Sequence, residues 1–135
     1  MAVSRQYNAT MLEHFGLGLH DGKVGGLAHT GPDPNRFCSA PSEVALNAWV
    51  HLAATYDGST LRVYQDAVQI CERDVTGSVP NDDTQNGLII GGNVNNAANG
   101  VQETLTGMID EVVLYSRALG GTEIDALALG MPPPE

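Results

Sequence analysis

Apolar residues along this chain recur with a period close to two, and clusters of Gly, Pro, Asn and Asp interrupt them at short intervals. An amphipathic helix needs a period of 3.6 residues, so a chain patterned this way folds mainly as β-strands joined by turns. Phe15, Leu17 and Leu19 alternate with glycines, and His20-Asp21-Gly22-Lys23 supplies a turn before residues 24–30 resume the pattern. Residues 31–35, rich in Pro and Asn, form a loop because Pro fixes φ and Asn bonds its own backbone. Residues 36–40 suit a short edge strand. Residues 49–56 are apolar on both faces, which predicts a central strand with Trp49 buried. Strands follow at 61–65, 68–71 and 88–90, then a long loop over 91–100 and a last long strand over 105–115.

Seven short strands with turns between them predict an all-β antiparallel sandwich of jelly-roll type. The sequence predicts one short helix near the C-terminus. Thr122 is read as its N-cap, with Asp125 three residues on, Gly130 stands where a C-cap belongs, and the Pro run from Pro132 ends it. With 135 residues the chain is expected to form one domain, 1–135, with an arm over 1–14 and a Pro-rich tail over 131–135.

Charge limits the partners. Sixteen Asp and Glu against six Lys and Arg leave a formal charge of −10, which opposes nucleic acid and anionic membrane surfaces. Apolar runs are far too short to cross a bilayer as a helix, and no signal peptide is visible in the first thirty residues.

Two segments carry a resemblance to a known family. Trp49-Val50-His51-Leu52-Ala53-Ala54-Thr55-Tyr56-Asp57-Gly58, continuing through Leu61-Arg62-Val63-Tyr64, resembles the laminin G-like, concanavalin A-like jelly-roll family. Gly107-Met108-Ile109-Asp110-Glu111-Val112-Val113-Leu114-Tyr115, followed by Arg117-Ala118-Leu119, is similar to a second stretch of it, and Leu88-Ile89-Ile90-Gly91-Gly92 falls between them in the family's order. The resemblance runs from about residue 16 to 129. It implies a jelly roll lacking its usual first strands, and a setting that in this family is often extracellular. Where the family has Asp-Gly at a hairpin this chain has Asp66-Ala67, so that hairpin is expected to avoid a type I′ turn, which needs positive φ at both residues.

Candidate chemistry is sparse. The 105–115 strand would place Met108, Asp110, Val112 and Leu114 on one face toward the core, which leaves Asp110 needing donors or a cation. The resemblance implies that an Asp in this place can ligate a structural Ca²⁺; the alternative reading gives it backbone N–H groups or Arg117, and no other cofactor is expected. Glu72 and Asp74 share a strand face, but the further Glu that concanavalin A-like glycosidases carry on such a strand is missing, so hydrolysis is not expected. Asn93, Asn95, Asn96 and Asn99 offer amides for sugar hydroxyls, although one Trp, four Tyr and two Phe leave few stacking platforms. Cys38 and Cys71 are read as a pair that is either bridged or free. Ile109, Val113 and Tyr115 fall on the outward face of the last strand and make an apolar patch fit for a homo-oligomer.

The functional expectation is a non-catalytic module binding carbohydrate or protein. The alternative is a self-assembling structural protein, and a glycosidase ranks below both.

Overall fold

The computed structural model describes residues 1–6, 13–31, 36–80, 87–96 and 100–132. Strands β1 (Val3–Gln6), β2 (Glu13–His20), β3 (Lys23–Ala28), β4 (Phe37–Glu43) and β8 (Leu88–Ile90) form a five-stranded antiparallel sheet in the order β4-β3-β2-β1-β8. Strands β5 (Leu52–Tyr56), β6 (Thr60–Gln65) and β7 (Val68–Asp74) form a three-stranded antiparallel sheet with β6 in the middle. Strands β9 (Asn93–Asn96) and β10 (Gly100–Gln102) pair antiparallel in a small two-stranded sheet, and a helix, α1 (Gly121–Ala128), follows. The all-β sandwich expected from the alternation is what the chain forms.

Turn chemistry sets the registers. Asp21 and Gly22, both at positive φ, connect His20 to its partner Lys23 as a two-residue hairpin. Asp66 and Ala67 do the same between Gln65 and Val68, at φ 49° and 66°. The expectation that Ala67 would avoid this turn is corrected: both central residues are left-handed, as type I′ requires. Two contacts hold the turn. Asp66 exchanges bonds with His51, its N–H donating to the His51 carbonyl and its Oδ1 accepting the His51 N–H at 2.9 Å. The Ala67 side chain packs against the cluster of Tyr64, Leu119 and Ile124.

The main core lies between the sheets, around Val24, Ala28, Cys38, Leu61, Val63 and Val75. Strand β4 lies against β7, β3 against β6, and β2 against β5. Cys38 of β4 and Cys71 of β7 are joined by a disulfide, Cα to Cα 5.9 Å, which staples the two sheets along one side. A second cluster covers the outer face of the small sheet, where Ile124 and Leu119 bury Tyr64.

Further sequence expectations are corrected here. Residues 49–56 do not make a central strand: only Leu52–Tyr56 is extended, it lies at the edge of its sheet, and Trp49 is 64% exposed. Both faces of β5 are apolar because the core covers one and the α1 cluster, touching Ala53, covers the other. Residues 105–115 carry no strand: among the described residues none of them enters a sheet ladder. The loop over 91–100 contains β9, and the arm over 1–14 supplies β1, inserted between β2 and β8.

The helix starts two residues earlier than expected, with Gly120 rather than Thr122 as its N-cap, and Glu123 accepts the Gly120 N–H at 2.8 Å. Its end is a Schellman motif: Gly130 at φ 72° donates to Leu127 and Met131 to Ala126.

Candidate functional site

Antiparallel pairing sets Arg62 and Tyr64 of β6 on the outer face of the small sheet, and α1 lies across that face with Leu119 and Ile124 on Tyr64. Beside the helix the sheet is left open. The resulting cleft has a volume of about 450 Å³, with Tyr64, Ala67 and Leu119 as its apolar lining and Arg62, Gln69 and Asp125 as its polar one. A neighbouring hollow of about 340 Å³ shares Ala67 and Asp125 and runs on toward Ala128 and Leu129.

The polar rim is preorganised. Asp57 caps its own turn, its Oδ1 accepting the Ser59 and Thr60 N–H groups at 2.9 and 2.8 Å. Its Oδ2 lies 2.7 Å from Arg62 Nη1, and this guanidinium, with the turn donors, holds the Asp57 carboxyl well below the usual carboxylate range. Arg62 Nε also reaches Glu72 Oε2 at 3.0 Å, and the Gln69 amide donates to the same oxygen at 3.2 Å. Gln69 Oε1 and the Asp125 carboxylate take no hydrogen bond from the described residues, and both residues line the cleft. An apolar floor, an amide, a carboxylate and a fixed guanidinium suit a hydroxyl-rich ligand with one apolar face.

The residues singled out in the sequence do not converge on one place. Asn93 is buried, with Oδ1 3.3 Å from Ser4 Oγ and Nδ2 donating to Glu103 at 3.2 Å, so its amide is engaged inside the fold. Asn95 and Asn96 belong to β9, and Asn99 lies outside the described residues. Asp110 does not face the core; it is exposed and accepts the Glu111 N–H at 2.8 Å, while Arg117 pairs with Glu123 instead. Among the described residues no group of three His, Cys, Asp or Glu side chains is placed to hold a metal ion. Ile109 is half-buried, and Val113 and Tyr115 are exposed. Glu72 and Asp74 are exposed on one face of β7, opposite Arg62 and Thr60.

Sequence reasoning missed the cleft, because its lining comes from residues 62–69 and 119–125, which only helix docking brings together. It also missed His14 and His29, buried next to one another across β2 and β3, where the His29 N–H donates to the His14 carbonyl. The exposure of Trp49 carried no local signal, since it follows from the edge position of β5.

Two unequal antiparallel sheets with a helix on the smaller define a protein of the concanavalin A-like sandwich class. The Laminin_G_3 family model, described as concanavalin A-like lectin/glucanases superfamily, matches residues 2–125, and the chain belongs to this family. A solved structure of an S-layer domain-containing protein from Clostridium thermocellum is similar at 24% identity and a TM-score of 0.49, covering 80% of this chain and 52% of that one. The chain thus spans about half the length of that structure. No curated protein matches the chain. No helix among the described residues is long and apolar enough to cross a membrane.

Proposed function

We propose that the chain is a non-catalytic binding module for a carbohydrate, held in the cleft between the small sheet and α1. The observation that carries this reading is the composition of the cleft: Tyr64, Ala67 and Leu119 beneath unengaged acceptors on Gln69 and Asp125. Glycosidases set two carboxylates across the scissile bond, roughly 5–10 Å apart. Here Asp125 is the carboxylate of the cleft, and Glu72 beside it is committed to Arg62 and Gln69. Screening on an oligosaccharide array, then mapping of amide shifts with the ligand found, tests the reading. Perturbation at Ala67, Gln69 and Asp125, lost in the double variant Gln69→Ala with Asp125→Ala, is expected. A blank array, or shifts confined to other surfaces, overturns it, as does release of reducing sugar from any glycan bound.

Self-association is a second reading, and one observation favours it: Val113 and Leu114 are 58% and 56% exposed within one short apolar run. Sedimentation at micromolar concentration should show a dimer that Val113→Arg dissociates. A mass of one chain throughout, or a dimer indifferent to that substitution, removes this face from consideration.

A further inference from the structure

The cleft on the small sheet and the hollow next to it meet at Ala67 and Asp125, which line both. Together they follow α1 from Gly121 in its first turn to Ala128 and Leu129 at its end, about 12 Å of helix. Tyr64, Ala67 and Leu119 give the first part an apolar lining, and Ala128 and Leu129 continue it.

The polar groups left over along this groove are mostly acceptors. Arg62 is committed to Asp57 and Glu72, and two carboxylates outweigh its single charge. The Gln69 amide donates to Glu72, and the Gly120 N–H donates to Glu123. Gln69 Oε1 and the Asp125 carboxylate remain, and with them Asp66 Oδ2, since the His51 N–H goes to Oδ1. Among the described residues no donor reaches these three, and neither Asp66 nor Asp125 has a cation within ion-pair distance. Helix α1 also ends without a basic residue in its last turn, so the partial negative charge of its C-terminus adds to that of the hollow.

A ligand for this groove must bring donors. A hydroxyl brings one and an ammonium three, together with the opposite charge. Resting on the carbohydrate reading above, we infer that the ligand is a glycan of hexosamine units with free amines, one protonated amine entering the hollow lined by Asp66 and Asp125. The apolar face of a sugar ring covers Tyr64, Ala67 and Leu119, and a ring hydroxyl donates to Gln69 Oε1. The ammonium meets the carboxylates in charge-assisted bonds, roughly twice as strong as neutral ones. Uronate or sulfate groups are refused, because they would face Asp66 and Asp125 on a chain of formal charge −10.

The test compares a glucosamine tetramer with the same tetramer N-acetylated, by titration calorimetry at low and at physiological salt. The free-amine tetramer should bind about tenfold more tightly at low salt. Added salt should narrow that margin, because Asp66 and Asp125 are both exposed. Asp66→Asn and Asp125→Asn should each reduce it, and together erase it. Asn keeps an acceptor for the His51 N–H and tolerates the positive φ of residue 66, so the turn should survive. Asp125→Asn changes only an exposed helix position and reports alone if the other variant misfolds. Asp110→Asn removes the same charge outside the groove and should leave the margin intact. Equal affinity for the two tetramers, a margin indifferent to salt, one that survives the double substitution, or one that Asp110→Asn erases overturns the inference and leaves the carbohydrate reading standing. So does binding of neither tetramer beside a different glycan found on the array, whereas a blank array removes both. Tighter binding of a blocked Gly-Lys-Gly peptide than of either tetramer also overturns it, since the hollow would then be a site for lysine.

Discussion

Arg117 grips Glu123 through both carboxylate oxygens, Nη2 at 2.6 Å from Oε1 and Nη1 at 2.9 Å from Oε2. The same carboxylate accepts the Gly120 N–H, so one side chain caps α1 and ties the preceding segment to it. The guanidinium first and the N–H second lower the Glu123 pKa from 4.5 to about 2. A carboxyl whose pKa is depressed by folding stabilises the fold above its unfolded value and loses that contribution as pH falls through the folded one. The difference in melting temperature between the natural chain and Glu123→Gln should thus be constant above about pH 5 and close between pH 4.5 and 2. A gap that persists at pH 2 would show that the ion pair is not its source.

Reduction of the Cys38–Cys71 bridge should cost more than any single surface change. Its sequence separation of 33 residues corresponds to roughly 3–4 kcal/mol of chain entropy removed from the unfolded state. The paired substitution to Ser should lower the unfolding free energy by that amount and the denaturant midpoint with it, while the β-sheet circular dichroism signal persists at low denaturant. An unchanged midpoint would contradict the stapling role.

Ala67 offers a sign test. A left-handed alanine costs about 1–2 kcal/mol relative to glycine, and its half-buried methyl returns less than about 0.8 kcal/mol. Ala67→Gly should raise stability by up to about 1 kcal/mol in urea unfolding. A loss of that size would show that the methyl contact with the Tyr64 cluster outweighs the backbone strain.

Calcium should leave the melting temperature unchanged. Ca²⁺ needs six to eight oxygens, and Asp110 is an exposed carboxylate bonded to its neighbour's backbone. A rise with millimolar Ca²⁺ that Asp110→Asn abolishes would restore it as a ligand.

What the sequence revealed followed the physics of one-sided burial. Strand β2 alternates Phe15, Leu17 and Leu19 with His and Gly because it turns one face to the core, and Asp21-Gly22 marks its turn by chemistry that only positive φ explains. Residues 49–56 misled for a physical reason. Apolarity on both faces signals cover on both faces, and a helix supplies that cover as readily as neighbouring strands do. Residues 105–115 show the other limit: alternation gives a segment the capacity to be a strand, but only a partner at hydrogen-bonding distance makes it one. The cleft was illegible because Tyr64 and Asp125 are distant in the chain and neither carries a motif.

The placement of the disulfide has a consequence for how the molecule opens. It fastens β4 to β7 at one margin, and Val24 of β3 with Leu61 and Val63 of β6, all fully buried, lie on the strands next to that margin. Transient separation of the two sheets should then swing about the bridge as about the spine of a book. Strands β8, β1 and β5 would part often and at low cost, and β3, β6 and β7 only on global unfolding. Mutational tolerance should follow the same gradient, with substitutions absorbed near the fore-edge and rejected near the spine.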